Sequence, residues 1–385
     1  MTSFDFATAG RIVFGEGSAA SIPGWAAELG STVLVVTGSN PGRAESLVEG
    51  LQKRDAEVVL LCVDGEPEIA FVSGGADLAR RRSAQVVVGI GGGSTLDAGK
   101  AIAALATNDG DPLEYLEVVG SGKTLDHDPL PFIAVPTTAG TGSEATRNAV
   151  LTIPGRRVKA SLRSPRMLPR LAVVDPVLTY SLPPSVTATT GLDALTQLIE
   201  PFLSARANAI TDALCRDGIA RVARSLERAC HDGHDAAARA DMSLASLFGG
   251  IALANAGLGA VHGLAAPIGG VAHAPHGAVC AALLPHVMTA NVRAMRASAG
   301  AAGALVRANE IGCLLLGRAG ADADAAVAWI AGVVERLGVP RLGALGVDAA
   351  DLPAIAEQAQ RATSMKGNPV SLSSDQLIAI LEAAR

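Results

Sequence analysis

The first half of the chain alternates short apolar runs with helix-like segments, and this alternation restricts the fold more than any other feature. The runs rich in Val, Ile and Leu are residues 11–14, 32–37, 57–63, 85–90, 132–136 and 171–175. The helix-like segments are residues 21–29, 42–54, 69–82 and 96–106. Strands that are apolar along their whole length and separated by helices are typical of a parallel sheet covered on both faces. The sequence therefore predicts an α/β domain.

The second half has a different pattern, in which helical segments follow one another without strands. They are residues 187–203, 208–229, 236–256, 279–298, 301–316, 322–337, 352–360 and 375–384. A chain of 385 residues exceeds the usual size of one domain. We therefore expect an α/β domain over residues 1–180 and an all-helical domain over residues 181–385.

The charge and the cysteines exclude several classes of protein. A net charge of −6 argues against binding to nucleic acid or to an anionic membrane surface. The five cysteines are widely spaced and contain no C-x-x-C pair, which favours reduced thiols over a disulfide framework. The first residues lack the basic and apolar regions of a signal peptide. We therefore expect a cytoplasmic protein.

Residues 242–292 contain no Asp, Glu, Lys or Arg, so a membrane span has to be considered. Histidines, prolines and glycines interrupt the apolar run, and no Trp or Tyr marks a membrane interface. We therefore predict a buried helical core and no membrane contact. Four of the seven histidines lie in this segment, and imidazoles in an apolar interior need partners such as metal ions.

A glycine loop, Gly91-Gly92-Gly93-Ser94, connects a predicted strand to a predicted helix. Glycines allow a ligand to approach the backbone closely, and the N–H groups at a helix N-terminus attract anions such as a dinucleotide pyrophosphate. The loop is not the G-x-G-x-x-G fingerprint, so a tight turn without a ligand stays an alternative.

A second loop, rich in hydroxyl groups, follows the strand at residues 132–136. It contains Thr137, Thr138 and Thr141 among small residues. Such a loop can donate hydrogen bonds to a phosphate or a ribose, although a simple Ser/Thr turn is the alternative. Two loops of this kind, each after a parallel strand, favour a dinucleotide site.

A carboxylate and two imidazoles form a set of metal-type residues in the second half. Asp193 and Gln197 are four residues apart near a predicted helix start and share one face, while His262 and His276 lie in the charge-free segment. One carboxylate and two imidazoles can hold Fe²⁺ or Zn²⁺ and leave a position open for a substrate oxygen. The alternative is a helix-terminal charge with two hydrogen-bonded core histidines.

These motifs, taken together and in order, resemble the iron-containing (group III) alcohol dehydrogenases. The matching stretches are Gly91-Gly92-Gly93-Ser94, residues 136–141, residues 191–196, and Val261-His262-Gly263 through Pro275-His276-Gly277. The likeness covers nearly the whole chain and implies the dehydroquinate synthase-like fold, shared with glycerol dehydrogenase and maleylacetate reductase. It implies reversible hydride transfer between NAD(P)(H) and an alcohol, aldehyde or ketone, assisted by Fe²⁺ or Zn²⁺. It also implies a homodimer or larger homo-oligomer with a small-molecule substrate.

The resemblance also assigns roles to single residues. Gly92, Gly93 and Ser94 would contact the pyrophosphate, with Asp97 and Thr141 also among the cofactor-binding residues. Thr137, Thr138 and Lys159 would lie near the nicotinamide half, and Asn148 would face the substrate. On the helices of the second half, Phe248 and Leu253 are candidate pocket residues whose alternative role is core packing.

Three departures from the family pattern affect the chemistry. The family carries a histidine where this chain has Gln197, and a glutamine carbonyl is a weaker ligand than an imidazole. Alcohol-reducing relatives often carry a proton-transferring histidine at Ala266, so His273 and Lys159 become the candidate catalytic residues. The turn after residues 32–37 lacks the Asp of NAD-using relatives, so NADP is permitted alongside NAD. The residues there that could hold its phosphate are Gly38, Ser39, Asn40 and Arg43.

Three other functions stay open at this point. Gln197 is compatible with a metal-independent enzyme similar to maleylacetate reductase, in which Arg147 or Arg163 would bind substrate carboxylates. A lyase similar to dehydroquinate synthase would return NAD unchanged. A third alternative, from a different class, is a dinucleotide-binding protein without catalytic turnover.

Overall fold

The structure is a computed structural model that describes residues 3–156, 158–272 and 274–385. The chain divides into two compact units. The α/β unit comprises Thr8–Thr138 and Gly142–Thr179, and the helical unit comprises residues 3–7, Ala139–Thr141 and Tyr180–Arg385. The short segment Ala139–Thr141 therefore belongs to the helical unit, although it lies within the predicted α/β range.

A six-stranded sheet forms the centre of the α/β unit, with the order β1-β8-β5-β4-β2-β3. The strands of the unit are β1 Ile12–Phe14, β2 Thr32–Thr37, β3 Glu57–Cys62, β4 Val86–Gly91, β5 Phe132–Pro136, β6 Asn148–Ile153, β7 Val158–Arg163 and β8 Leu171–Val174. All neighbouring pairs in the large sheet are parallel. The parallel sheet predicted from the apolar runs is confirmed.

Both faces of this sheet are buried. Its helices are α1 Ile22–Leu29, α2 Glu45–Gln52, α3 Ile69–Arg81 and α4 Gly93–Leu105. In β2, Val33 and Val35 pack into one hydrophobic cluster, while Leu34 and Val36 pack into another. Because successive side chains of a strand point to opposite faces, a sheet covered on both sides requires an apolar residue at every position.

Two strands that were not predicted from the sequence, β6 and β7, pair as an antiparallel hairpin outside the large sheet. In β6 the residues Ala149, Leu151 and Ile153 are buried, and the residues between them are not. This period of two marks a strand with one buried face. Continuous apolar runs reveal only strands buried on both faces, and so they do not reveal this hairpin.

The helical unit contains α5 Pro184–Leu203, α6 Ala209–His231, α7 Ala236–Ala256, α8 Ala260–Val271, α9 His276–Ala297, α10 Ala302–Leu316, α11 Ala323–Arg336, α12 Leu352–Arg361 and α13 Ser374–Ala384. Within the described residues of this unit no strand occurs, as predicted. The prediction missed α8 and began α9 three residues late, at residue 279. Gly and Pro lower the helix propensity of α8, and tertiary packing overrides that propensity.

Two helical segments, His276–Ala297 and Ala299–Leu316, are long and apolar enough to cross a membrane by length and composition. In the first, 72% of the apolar window is buried inside the protein. The second is only 28% buried, but it carries Arg307 and Glu310, which pair with charged residues of α6. Charges are costly in a bilayer. The bent pair α7 and α8 also passes the length test, with an angle of 97° between the helices.

Candidate metal centre and nucleotide loops

Asp193 lies in the middle of α5 and is 1% exposed. Gln197, one turn later on the same face, donates its amide Nε2 to Asp193 Oδ2 at 3.1 Å and to the Gly140 carbonyl oxygen at 3.3 Å. Both partners are acceptors, so the NH₂ end of the amide has to face them. The other end, Gln197 Oε1, is buried and has no hydrogen-bond partner among the described residues.

His262 lies in the first turn of α8, and Glu200 fixes its orientation. One carboxylate oxygen of Glu200 lies 2.6 Å from His262 Nδ1, and the other accepts the Val261 backbone N–H at 2.7 Å. A Cβ on Gly259 would lie 2.9 Å from Glu200 Oε1, so a larger residue there would displace the carboxylate from the helix start. The arrangement favours a proton on Nδ1 and leaves Nε2 available as a ligand.

His276 is the first residue of α9, and Cys280 follows one turn later on the same face. Cys280 Sγ lies 3.5 Å from His276 Nε2. Cys280 is completely buried, whereas the His276 side chain is 38% exposed. Solvent therefore reaches this pair from the side of His276.

One ligand atom from each of Asp193, His262, His276 and Cys280 lies within 4.8 Å of all the others. Asp193 Oδ1 is 3.4 Å from His262 Nε2 and 3.8 Å from His276 Nε2. Donors in a tetrahedral site with bonds of about 2.0–2.3 Å lie about 3.3–3.8 Å apart. Asp193 Oδ1 is buried and has no hydrogen-bond partner in the part of the chain described. The donor types, the spacing and this buried oxygen fit a divalent metal ion.

The ionisation of the cluster follows from its buried anions. The electrostatic interaction with Cys280 raises the pKa of His276 to about 9, with Asp193 adding to the effect against the penalty of burial. Burial lowers the pKa of His262, but Cys280, Glu200 and Asp193 together hold it well above its usual value. Burial raises the pKa of Asp193, yet the two imidazoles lower it on balance. Protons or a metal ion therefore balance the negative charge of the cluster.

The residues predicted for this site were Asp193, Gln197, His262 and His276, whereas Cys280 and Glu200 were not predicted. The spacing of His276 and Cys280 places them on one helix face only when the helix begins at His276. Because the predicted helix began at residue 279, that signal was lost. Glu200, seven residues after Asp193, lies two turns further along the same helix, and this spacing could have identified it.

The glycine loop and the hydroxyl loop lie at the same edge of the sheet. In the β4–β5 pair Gly91 is opposite Pro136, and the Thr137 backbone N–H donates to the Gly91 carbonyl at 2.8 Å. The helix α4 begins at Gly93 after Gly92, which has no side chain to cap the first N–H groups. Those donors therefore suit an anion at the carboxyl end of a parallel sheet.

Glycine is present at positions 91 and 92 of this loop for two different physical reasons. A Cβ on Gly91 would lie 2.4 Å from Thr95 Oγ1, so the packing of α4 itself requires glycine there. A Cβ on Gly92 would lie 3.5 Å from Thr138, which is an ordinary contact. Packing therefore does not explain Gly92, and a glycine at this position would allow a ligand to approach the backbone closely.

Lys100 on α4 is fully buried and holds the segment that follows the hydroxyl loop. Its ammonium donates to the Ser143 carbonyl at 2.9 Å, to Thr146 Oγ1 at 2.8 Å and to the Asn148 carbonyl at 2.6 Å. Asp97 lies 3.4 Å away and itself accepts hydrogen bonds from Ser143 Oγ and the Val150 N–H. Burial lowers the pKa of Lys100, and Asp97 opposes that shift.

The turn predicted to hold the adenosine ribose follows β2. Asn40 Oδ1 accepts the Gly42 N–H at 3.1 Å and opens a short 3₁₀ turn, Pro41–Ala44. Ser39, Asn40 and Arg43 are exposed, and a Cβ on Gly38 would lie 3.5 Å from Thr95 Oγ1. The turn is therefore accessible and lies beside the start of α4.

The remaining candidate residues are not among the four donors of the cluster. Lys159 on β7 is 10% exposed, with its ammonium 2.5 Å from Glu66 Oε2, and Asn148 begins β6. Phe248 on α7 is half-buried against the hydrophobic core, and Leu253 on the same helix is half-buried. His273 lies outside the described residues. Their predicted roles stay predictions.

Comparison with known proteins agrees with the geometry in both units. Residues 9–176 match the family described as iron-containing alcohol dehydrogenase, and residues 187–385 match the C-terminal domain of the Fe-containing alcohol dehydrogenase family. The chain is 38% identical to alcohol dehydrogenase 4 of Saccharomyces cerevisiae over 91% of its length and 90% of the relative.

Solved structures show the same fold. A crystal structure of 1,3-propanediol oxidoreductase superposes with a TM-score of 0.92 at 34% identity and covers 100% of both chains. Sulfoacetaldehyde reductase from Bifidobacterium kashiwanohense, solved in complex with NAD⁺, has a TM-score of 0.86 at 29% identity, covering 100% of this chain and 99% of that one.

The chain belongs to the iron-containing alcohol dehydrogenase family, and it is an oxidoreductase that transfers hydride between a nicotinamide dinucleotide and an alcohol or carbonyl group.

Proposed function

We propose that this protein interconverts small primary alcohols and their aldehydes with a divalent metal held by Asp193, His262 and His276. The observation that carries this proposal is the buried Asp193 Oδ1, which lacks a hydrogen-bond partner among the described residues and lies within 4 Å of both imidazoles. A bound metal supplies Lewis-acid polarisation of the substrate oxygen. The names of the relatives, alcohol dehydrogenase 4 and 1,3-propanediol oxidoreductase, support a small alcohol as the substrate.

In this proposal the residues around the centre orient its ligands, give access to it and transfer the proton. Glu200 holds His262 with Nε2 directed at Asp193, and Gln197 holds the Asp193 carboxylate by its second oxygen. The exposed edge of His276 gives access to the centre. Ala266, one turn after His262, is exposed and has no group that can move a proton. We keep His273 as the proposed proton relay, with Lys159 as the alternative.

The proposed cofactor site is the carboxyl edge of the α/β sheet. The N–H groups at the start of α4, next to Gly92, Gly93 and Ser94, would bind the pyrophosphate. Thr137, Thr138 and Thr141 would line the nicotinamide half. Asp97 would act indirectly, because its carboxylate already accepts from Ser143 Oγ and the Val150 N–H. Asn148, Phe248 and Leu253 stay proposed as substrate-facing residues.

We propose that both NAD(H) and NADP(H) are accepted. The turn after β2 has no carboxylate between Gly38 and Arg43 that would repel a 2′-phosphate. The solved NAD⁺ complex of a relative supports the use of NAD⁺. We further propose a cytoplasmic homodimer or larger homo-oligomer, and the free state of all five cysteines agrees with a reducing compartment.

The test is metal analysis of the purified protein together with NADH and NADPH oxidation on a panel of aldehydes. We expect turnover that is lost on chelation and restored by Fe²⁺ or Zn²⁺. Full activity in metal-free protein would contradict the metal role and favour the enzyme similar to maleylacetate reductase. Cofactor binding without turnover of any carbonyl would favour the binding protein without catalysis.

A further inference from the structure

We infer that Cys280 is a fourth protein ligand of the metal and takes the place that the family assigns to a histidine at position 197. The donor set is then Asp193, His262, His276 and Cys280, and it selects Zn²⁺ over Fe²⁺. This inference rests on the proposed function only in that both use the same metal centre.

The NH₂ group of Gln197 is held by the protein, which leaves only the neutral amide oxygen Oε1 as a possible donor to a cation. Its NH₂ group faces two acceptors, Asp193 Oδ2 and the Gly140 carbonyl. Turning the amide over would place Gln197 Oε1 against those same two oxygens and lose both hydrogen bonds. In the observed orientation the NH₂ group orients the Asp193 carboxylate, and Oε1, the end of the amide with lone pairs, is a neutral and therefore weak ligand.

Cys280 provides a stronger donor than Gln197, because a thiolate binds Zn²⁺ more tightly than a neutral amide oxygen. It is completely buried on α9, one turn after His276, and its Sγ lies 3.5 Å from His276 Nε2. That separation matches two ligand atoms of one tetrahedral site. The Cys280 sulfur and Asp193 Oδ1 both lie within 4.8 Å of both imidazole donor atoms.

Charge and ligand softness favour zinc at this set. A carboxylate and a thiolate together carry two negative charges, which balance a divalent cation in a buried site. Thiolate ligands select Zn²⁺ among the metals available to imidazole sites, and Zn²⁺ also lies above Fe²⁺ in the general order of affinity. A neutral glutamine together with a thiolate therefore changes both the charge and the selectivity of the centre.

Access to the centre remains open on one side. Asp193, His262 and Cys280 are each at most 7% exposed, whereas the His276 side chain is 38% exposed. Four protein donors fill a tetrahedron, so an additional ligand requires expansion to five-coordination, which catalytic zinc sites use. The exposed edge of His276 is the side from which it can enter.

The experiment uses Co²⁺ as a spectroscopic substitute for Zn²⁺ in metal-depleted full-length protein. A thiolate ligand gives a sulfur-to-cobalt charge-transfer absorption in the near ultraviolet, and carboxylate and imidazole ligands alone do not. We expect this absorption in the wild type and its loss in Cys280→Ser. Zn²⁺ affinity, measured by competition with a chelator, should fall at least about 100-fold in that variant. Cys62→Ser is the matched control, because Cys62 is the exposed thiol that could bind Co²⁺ adventitiously.

A second variant separates ligand loss from misfolding. Adding Gln197→His to Cys280→Ser should restore most of the Zn²⁺ affinity without restoring the charge-transfer absorption, because nitrogen replaces sulfur. The inference is overturned if wild-type protein shows no such absorption, if Cys280→Ser retains it, or if Cys62→Ser loses it. Absorption that depends on Cys280 in a protein without alcohol or aldehyde turnover would instead refute the proposed function alone. Unchanged metal affinity in an active Cys280→Ser enzyme would refute this inference alone.

Discussion

The glycine loop of the α/β unit and the metal-type cluster of the helical unit differ in how far protein groups satisfy their buried charges. Lys100 near the loop donates to three protein oxygens and lies beside Asp97. Asp193 in the cluster has one carboxylate oxygen without a hydrogen-bond partner among the described residues. In the first region protein groups satisfy the buried charge, and the backbone N–H groups at the start of α4 are proposed to bind a ligand. The second leaves buried negative charge that protonated imidazoles or a bound metal ion balance.

This contrast predicts at which residues a substitution should damage the chemistry and at which it should damage folding. Substitution in the cluster removes a ligand and relieves a buried charge, so the protein should still fold. Substitution of the lysine near the loop leaves several buried acceptors without a donor, so the fold itself should weaken. The predictions below test this contrast.

Asp193→Asn should have the largest effect, because it removes the charged ligand at the centre and keeps the shape of the side chain. Loss of several kcal/mol of transition-state stabilisation corresponds to a fall in kcat/KM of about 1000-fold or more. Metal content and steady-state rates with NADH and an aldehyde measure this effect. Asp217→Asn is the control, since Asp217 forms an exposed ion pair with Arg221 on α6. Wild-type metal affinity in Asp193→Asn would refute the assigned role.

Lys100→Met should lower the free energy of unfolding and leave the metal affinity unchanged. Removing one partner of a buried charge network costs about 3–5 kcal/mol, because the remaining acceptors and Asp97 stay buried. Denaturant unfolding should show this loss. Lys53→Met is the control, because Lys53 is 75% exposed and its ion pair with Glu49 should contribute under about 0.5 kcal/mol. A loss below about 1 kcal/mol for Lys100→Met would show that Lys100 does not stabilise the fold as this comparison requires.

Glu200→Gln tests whether the orientation of His262 matters for metal binding. The new amide would accept the Val261 N–H with its oxygen and donate to His262 Nδ1, which moves the ring proton to Nε2. That nitrogen faces Asp193 and could no longer bind a metal, so Zn²⁺ affinity should fall about 10–100-fold. Chelator competition measures the change, and Glu310→Gln at the ion pair with Arg216 is the control. Equal affinities for the two variants would show that Glu200 has no orienting role.

The fold was predictable where residue pattern and environment agree. The bounds of β2 and β5 match the predicted bounds, because strands buried on both faces have to be apolar throughout. The helix α8 was not predictable, because Gly263, Pro267 and the glycines near its end lower the helical signal. Packing of α8 and its N-terminal contact with Glu200 stabilise it, and neither is local in sequence.

The site was predictable from residue types and only partly from spacing. Asp193, His262 and His276 stand out because charged and imidazole groups are costly in an apolar segment. Cys280 does not, since a buried cysteine commonly behaves as a small apolar residue. The role of Lys100 also depends on the Ser143 and Asn148 carbonyls, which are more than 40 residues away in sequence. No local sequence pattern predicts such distant acceptors.

Gly38→Asp should have the smallest effect and acts only on cofactor choice. A Cβ at this position meets Thr95 Oγ1 at 3.5 Å, an ordinary contact, so the side chain should fit without distortion. The added carboxylate would repel a 2′-phosphate, and kcat/KM with NADPH should fall relative to NADH by on the order of 10-fold or more. Gly38→Asn has nearly the same shape without the charge and should leave the ratio of the two cofactors close to that of the wild type. If both variants lower the NADPH preference equally, bulk and not charge governs this turn, and the proposed phosphate site near Arg43 is wrong.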